Sequence, residues 1–237
     1  MKTIRSITVI CSLAALGACS NFSKPSGNNI SRAQFLDEVW VSADVKGKAV
    51  SEVFSSVYFT PVATGRLKSQ GWWASQTPIK QQQLETDARK LARHMNQSLE
   101  NAARNDTQRR LTVAGQPGPG TLIVDMAITE LVPAKAYWNA AATTAGFIVP
   151  GAGLLGAAGS GSIGIEGRLR DGNTGAIIAT FRHHMSDKIA VINIDSYTWY
   201  SGSEANLNEI AVKTARVLNS SADTVVNRAS PIKLAAY

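Results

Sequence analysis

The chain has almost no sulfur chemistry to offer. Only two cysteines, Cys11 and Cys19, occur in 237 residues, and both lie within the first 19. The remainder has no thiol for a disulfide, a thiolate nucleophile or a zinc cluster, so its fold must stand on packing alone. Histidine is scarce too: the chain has only His94, His183 and His184. His183 and His184 are neighbours on a segment that reads as a strand, where successive side chains point to opposite faces. They cannot ligate one metal from one side. His94 falls on a helix, off the apolar stripe or at its rim, as a solvated residue. No G-x-S-x-G nucleophile elbow occurs, and no carboxylates pair at ligand spacing. Asp125 and Glu130 stand five apart on one strand, read on opposite faces, which makes a weak acid–base pair. No internal repeat is present. The expectation is a non-enzymatic protein with no catalytic, metal-binding or cofactor-binding residues.

What is present begins at the N-terminus. Lys2 and Arg5 give a short positive start, Ile7 to Leu16 an apolar core, and Leu16-Gly17-Ala18-Cys19 a small-residue ending. That order marks an export signal rather than a spanning helix. The ending resembles a bacterial lipobox: Gly17 and Ala18 let the chain lie extended in a narrow protease cleft, and Cys19 supplies a thiol for a thioether. The likeness implies that Cys19 is diacylated on sulfur, becomes the new N-terminus and is then acylated on its amine. Several acyl chains give stable anchoring where one would not. Ser20 stands where many inner-membrane lipoproteins carry Asp, which by resemblance favours transfer to the outer membrane, the domain facing the periplasm.

The whole chain carries +7, of which Lys2 and Arg5 supply two, leaving the exported part near +5. A basic surface of this size is ordinary, and export argues against nucleic acid as a partner. The expected partners are outer-membrane lipid through acylated Cys19 and an envelope protein or a second copy of the chain.

Organisation follows from patterning. Residues 1–18 are the signal peptide, and 19–34, polar and rich in Ser and Asn, read as a flexible tether. Residues 35–229 read as a single α+β domain, and 230–237 as a C-terminal tail. Residues 36–45 alternate, with Val39, Val41, Ala43 and Val45 on one face, and predict a strand. VFSSVYF at 53–59 predicts a second. Residues 65–76 read as a loop holding Trp72 and Trp73. Thr77-Pro78 is an N-cap followed by proline at the first helical position. Leu84, Ala88, Leu91, Met95, Leu99 and Ala102 then form one stripe of a helix ending near Arg104. RRLTVA at 109–114 predicts a strand, GQPGPG at 115–120 a turn, and residues 121–129 an alternating strand with Asp125 on a partly wet face. Two more strands flank Asp171-Gly172-Asn173-Thr174-Gly175 as a hairpin. A helix from Glu204 to about Arg228, with capping-box spacing at Ser201 and Glu204, completes the set. The fold expected is a mostly antiparallel sheet of five or six strands with two long helices packed on it. Arg89, Lys90, Arg93, Arg104, Arg109 and Arg110 cluster in sequence as an ordinary helix surface and its flank.

No charged residue occurs between Trp138 and Ile165, where Gly and Ala dominate. Gly151-Ala152-Gly153-Leu154-Leu155-Gly156 fits G-x-G-x-x-G, but Gly and Ser crowd the place of the required helix and a strand follows at once, so a nucleotide loop is excluded. Residues 139–164 are long enough to span a bilayer, with small residues at Ala152, Gly156 and Ser160, yet Pro150 interrupts them. The default is a loop beside the sheet, with membrane insertion in an oligomer as the competing reading.

Taken in order, Gly118-Pro119-Gly120-Thr121-Leu122, the strand through Leu131-Val132-Pro133, the Gly/Ala stretch and the Asp-Gly-Asn-Thr-Gly hairpin resemble Gram-negative lipoproteins grouped as domain of unknown function 3313. The likeness covers about residues 35–220. It implies an outer-membrane lipoprotein with no assigned activity, so no site residue other than Cys19 is carried over. A looser likeness, in architecture only, is to periplasmic α/β lipoproteins that assemble secretion pores or support envelope machines. Two functions are expected: a non-enzymatic binding or scaffold module of the envelope, or a subunit of an oligomeric pore or export apparatus that uses residues 139–164.

Overall fold

The computed structural model describes residues 33–132, 161–186 and 201–226. Cys19, the signal peptide, residues 20–32 of the tether, most of the Gly/Ala stretch and the tail lie outside the described residues.

Six strands form one sheet: β1 (Glu38–Val41), β2 (Ser56–Phe59), β3 (Thr112–Val113), β4 (Thr121–Val132), β5 (Ser162–Asp171) and β6 (Ile177–Ser186). Their spatial order is β1-β6-β5-β4-β2-β3. Of the described helices, α1 (Val50–Val53) and α2 (Gly71–Ala74) are single turns, and α3 (Pro78–Asn105) and α4 (Ser201–Asn219) are long. The α+β class with two long helices stands. The sheet, however, is mixed rather than mostly antiparallel: β2 runs parallel to both β4 and β3, while β1, β6, β5 and β4 alternate. The reason is connectivity. Between β2 and the strands beside it the chain forms α3, and a helical crossover returns the next strand parallel to the last.

Element boundaries moved where turns intervened. The alternation over 36–45 yields strand only at Glu38–Val41, because Val45 N–H donates to Ser42 O and Lys48 N–H to Val45 O, turning the chain toward α1. Residues 109–114 yield only Thr112–Val113, after a left-handed Arg109 at φ 42°. Residues 65–76 hold a 3₁₀ turn (Gly65–Ser69) and α2, which bury Leu67 and Trp73. The last helix stops at Asn219.

The helical period places the core. Thr77 caps α3, its hydroxyl accepting from Lys80 N–H at 3.5 Å, and Pro78 opens the first turn. Leu84, Ala88, Leu91, Met95 and Leu99 are buried along one stripe, and Leu207, Ile210, Ala211, Ala215 and Leu218 along the stripe of α4. Fully burying each Leu or Ile contributes roughly 1.5–3 kcal/mol. Both stripes join a core with one face of the sheet, including Val57, Leu122, Val124, Met126, Ile128, Ile165 and Phe181.

The β5–β6 hairpin is as expected, with Asp171 Oδ1 accepting the amides of Asn173 and Thr174, both at 2.8 Å. Its turn also meets the Gly118-to-Thr121 turn. Gly172 N–H donates to Thr121 O at 2.8 Å. A Cβ on Gly172 would lie 2.5 Å from Thr121 O and 2.7 Å from Gly118 O, both backbone atoms that cannot swing aside. Gly172→Ala is therefore expected to destabilise by about 2 kcal/mol in urea unfolding. Gly115→Ala, with nothing within 4 Å of the new methyl, should change stability by less than about 0.5 kcal/mol. Equal effects at the two positions would refute the close-approach account.

Candidate functional site

The sheet face turned away from α3 and α4 carries charge. Cross-strand register sets Asp125 opposite Arg168, Ala127 opposite Glu166, and Glu166 opposite Arg182. Asp125 Oδ2 accepts from Arg168 Nε at 3.0 Å and Arg170 Nε at 2.6 Å, and Oδ1 accepts from Arg170 Nη2 at 3.0 Å. Thr60 donates its hydroxyl to Oδ1 at 3.1 Å. Burial raises the Asp125 pKa, but the hydrogen bonds and charge of Arg170 and then Arg168 outweigh it and hold the carboxyl below its ordinary value. Arg170 is held above its own by hydrogen bonding to Asp125, against the opposing effect of burial. Glu166 pairs with Arg66 and with Arg182, whose Nη2 lies at 2.9 Å. Asp125 and Glu166 are only 8% and 4% exposed, so the face is dry at its carboxylates rather than partly wet. Each carboxylate is held by two guanidiniums, Asp125 by Arg168 and Arg170 and Glu166 by Arg66 and Arg182, an arrangement that suits a structural layer.

Glu130 does not lie opposite Asp125 in facing. A bulge between Ile128 and Glu130 shifts the parity, and Glu130 joins the charged face beside His184, with Nδ1 to Oε2 at 3.5 Å. His183 and His184 do diverge as expected. His183 is buried, its Nδ1 at 3.1 Å from Asp37 Oδ2, with its ring edge-on to Phe35. His94 is half-buried, and its Nε2 has no hydrogen-bond partner. The basic cluster is solvated helix surface, with Arg89, Lys90 and Arg104 pairing to Glu85, Asp87 and Glu100. Among the described residues no group of three His, Cys, Asp or Glu is placed to hold a metal. No helix among them is long and apolar enough to cross a membrane. Cys19 and most of residues 139–164 fall outside the described residues; Ser162, Ile163 and Gly164 already belong to β5.

The candidate site is a cavity of about 340 Å³ at the β1 end of the sheet. β1, β6 and β5 wall it on one side, with Val39, Val41, Ala179, Phe181 and Leu169; Ala49, Val50, Val53 and Phe54 of the α1 segment close another. Thr214, Val217 and Leu218 of α4, with Ala33 and Phe35, complete it. The loop from β1 to α1 supplies its rim with Val45, Lys46, Gly47 and Lys48. Small-molecule sites are concave and mostly apolar with few polar groups, typically about 300–1,000 Å³, and the cavity falls at the small end of that range. Sequence reading missed it because its walls come from three distant segments. The available signal was Lys46-Gly47-Lys48 directly after the Val39–Val45 apolar parity.

The family model described as Protein of unknown function (DUF3313) matches residues 37–191. No curated protein matches the chain. Among solved structures, a PelC dodecamer from Paraburkholderia phytofirmans is 12% identical, with a TM-score of 0.38, covering 77% of this chain and 97% of that one. A variant of that dodecamer, with one leucine replaced by methionine, is 14% identical, with a TM-score of 0.37, covering 77% and 97%. The hypothetical protein CT253 from Chlamydia trachomatis is 12% identical, with a TM-score of 0.33, covering 70% and 98%.

Proposed function

We propose that this chain, which belongs to the DUF3313 family of proteins of unknown function, is a lipid-anchored binding module of the outer membrane, with no catalytic step. The observation that carries the reading is the cavity of about 340 Å³, whose described lining is apolar apart from Lys46, Lys48 and Thr214. Such a recess binds by excluding water. The anchor rests on Leu16-Gly17-Ala18-Cys19 and the apolar segment before it.

Two measurements test this. Cys19→Ser should abolish acylation and processing at that site, read by mass spectrometry of the N-terminal peptide; normal processing and membrane pelleting without lipid would refute the anchor. A photo-crosslinking amino acid at Val45, on the rim, should capture an envelope component in cells. The same group at Asn101, exposed on α3, should not. Equal labelling from both positions, or none from Val45, would refute the cavity as a binding seat.

A further inference from the structure

We infer that residues 33–36 form a detachable strap that completes the recess when docked and opens it when released. The inference rests on the binding-module reading and adds the regulation of that site. Ala33, Phe35 and Leu36 supply part of the recess lining. They precede Asp37, where the chain joins the sheet. Asp37 N–H donates to Arg182 O at 3.1 Å, and its Oδ2 accepts the His184 amide at 2.6 Å. Asp37 is thus a fixed hinge, and the lining ahead of it hangs from that point. The strap also continues the segment that leads from Cys19, so the path to the anchor runs through a wall of the binding seat.

Packing sets the strap apart from the main core. Buried Ala33 and Phe35 join Val226 in a small cluster of their own, against which Val217 packs. That cluster is separate from the one shared by α3, α4 and the sheet, and half-buried Leu36 touches both. A satellite cluster of this size can open without unfolding the rest. Phe35 is gripped from two elements. Its ring stands edge-on to His183 of β6, with centroids 6.1 Å apart, and Lys213 Nζ of α4 lies 5.4 Å from its centroid. Ala33 forms an isolated parallel bridge to Val226, beyond the end of α4. The segment carrying Val226 is itself folded back, with Thr224 N–H donating to Ser221 O at 3.2 Å. The Leu36 amide donates to Ala33 O at 3.0 Å, inside the strap, which shapes it rather than attaching it. Docking therefore turns on the Phe35 ring and the Ala33–Val226 bridge. Releasing them removes apolar surface from the recess, and an occupant loses the contact that excludes water.

The test uses the full-length protein, in detergent micelles for hydrogen exchange and in cells for photo-capture at Val45. The Leu36 amide is expected to exchange at a rate flat in dilute urea, because strap release exposes little surface. The Ile128 amide, bonded to Ala63 O at 2.9 Å, should instead follow the steep urea slope of global unfolding. Phe35→Ala should speed Leu36 exchange about tenfold with the helical circular-dichroism signal unchanged. Capture at Val45 should fall by a similar factor, as the competent fraction falls. Ala33→Cys/Val226→Cys tests the docked state, since bridge partners sit at about the 5 Å Cα spacing that a disulfide spans. Oxidised, it should slow Leu36 exchange until it follows Ile128, with capture at Val45 kept; reduction should return the faster, urea-flat exchange. Leu36 exchange that tracks Ile128 in the unaltered protein would overturn the inference. So would capture that fails to fall in Phe35→Ala, or that is equal in the locked and Phe35→Ala forms. Each of those results, with a partner still captured at Val45, leaves the binding module standing; no capture from Val45 in any form would remove both.

Discussion

Asp125→Ala is expected to lower the unfolding free energy by about 3 kcal/mol, read as a fall in the urea midpoint at pH 7. The carboxylate accepts from Arg168, Arg170 and Thr60. Without it, two guanidiniums lie against the sheet with no anion opposite. They keep 25% and 27% of their side-chain surface exposed, so water relieves part of the penalty, and the figure sits at the low end for a broken buried pair. Replacing the whole cluster by apolar side chains, with Asp125→Leu, Arg168→Met and Arg170→Met together, should recover most of the loss. A triple variant weaker than the single one would show that the layer contributes more than the cost of an orphaned charge.

The same carboxyl sets an acid limit. The folded pKa of Asp125 is depressed, so the unfolded chain takes up the proton first. Its contribution is complete above the ordinary carboxylate value, about pH 4, and fades as pH falls through the lower folded value. Asp171 acts with the same sign, its pKa lowered chiefly by the hydrogen bond from the Thr174 amide. Stability is expected to drop below about pH 4, and to drop less in Asp125→Asn. An identical acid limb in that variant would place the titration elsewhere.

Asn219→Ala should cost about 2–3 kcal/mol in urea unfolding and strip hydrogen-exchange protection from the Leu111 amide. Asn219 Oδ1 accepts two consecutive amides, Arg110 N–H at 3.0 Å and Leu111 N–H at 2.9 Å. Its Nδ2 donates to Ala215 O at 3.1 Å. One buried side chain at the end of α4 thus fixes the chain just after the left-handed Arg109 and aims it into β3. Leu111 is 2% exposed, so its orphaned amide would find no water. Asn219→Asp keeps the acceptor and should lose less than half as much. Equal loss in both variants would mean that packing, not the paired amides, holds the segment.

These two residues mark the boundary of what sequence reading could reach. Asp125 was visible as the polar member of an alternating strand, and the Glu166, Arg168 and Arg170 parity was visible on the next. What joined them was register, which depends on turn geometry and on the bulge that also moved Glu130 to the other face. Asn219 looked like one more polar residue near a helix end, because its partners lie about a hundred positions away. Gly172 read as a turn residue, and only the approach of Thr121 and Gly118 showed why a methyl cannot fit there. The cavity was the least legible feature, since its walls come from the segment running through β1 to α1, the β5–β6 hairpin and α4.

Elements with local causes could be read from the order of residues alone. The helical stripe and Thr77-Pro78 start of α3, the hairpin around Asp171-Gly172-Asn173-Thr174-Gly175, the α+β class and the family likeness all rest on short-range patterning and turn chemistry. Folding in three dimensions settled strand direction, the pairing of charges across the outer face and the apolar recess at the β1 end of the sheet. Alternation fixes which side chains share a face, but strand direction and neighbours are set by the crossover helix and by packing between distant segments.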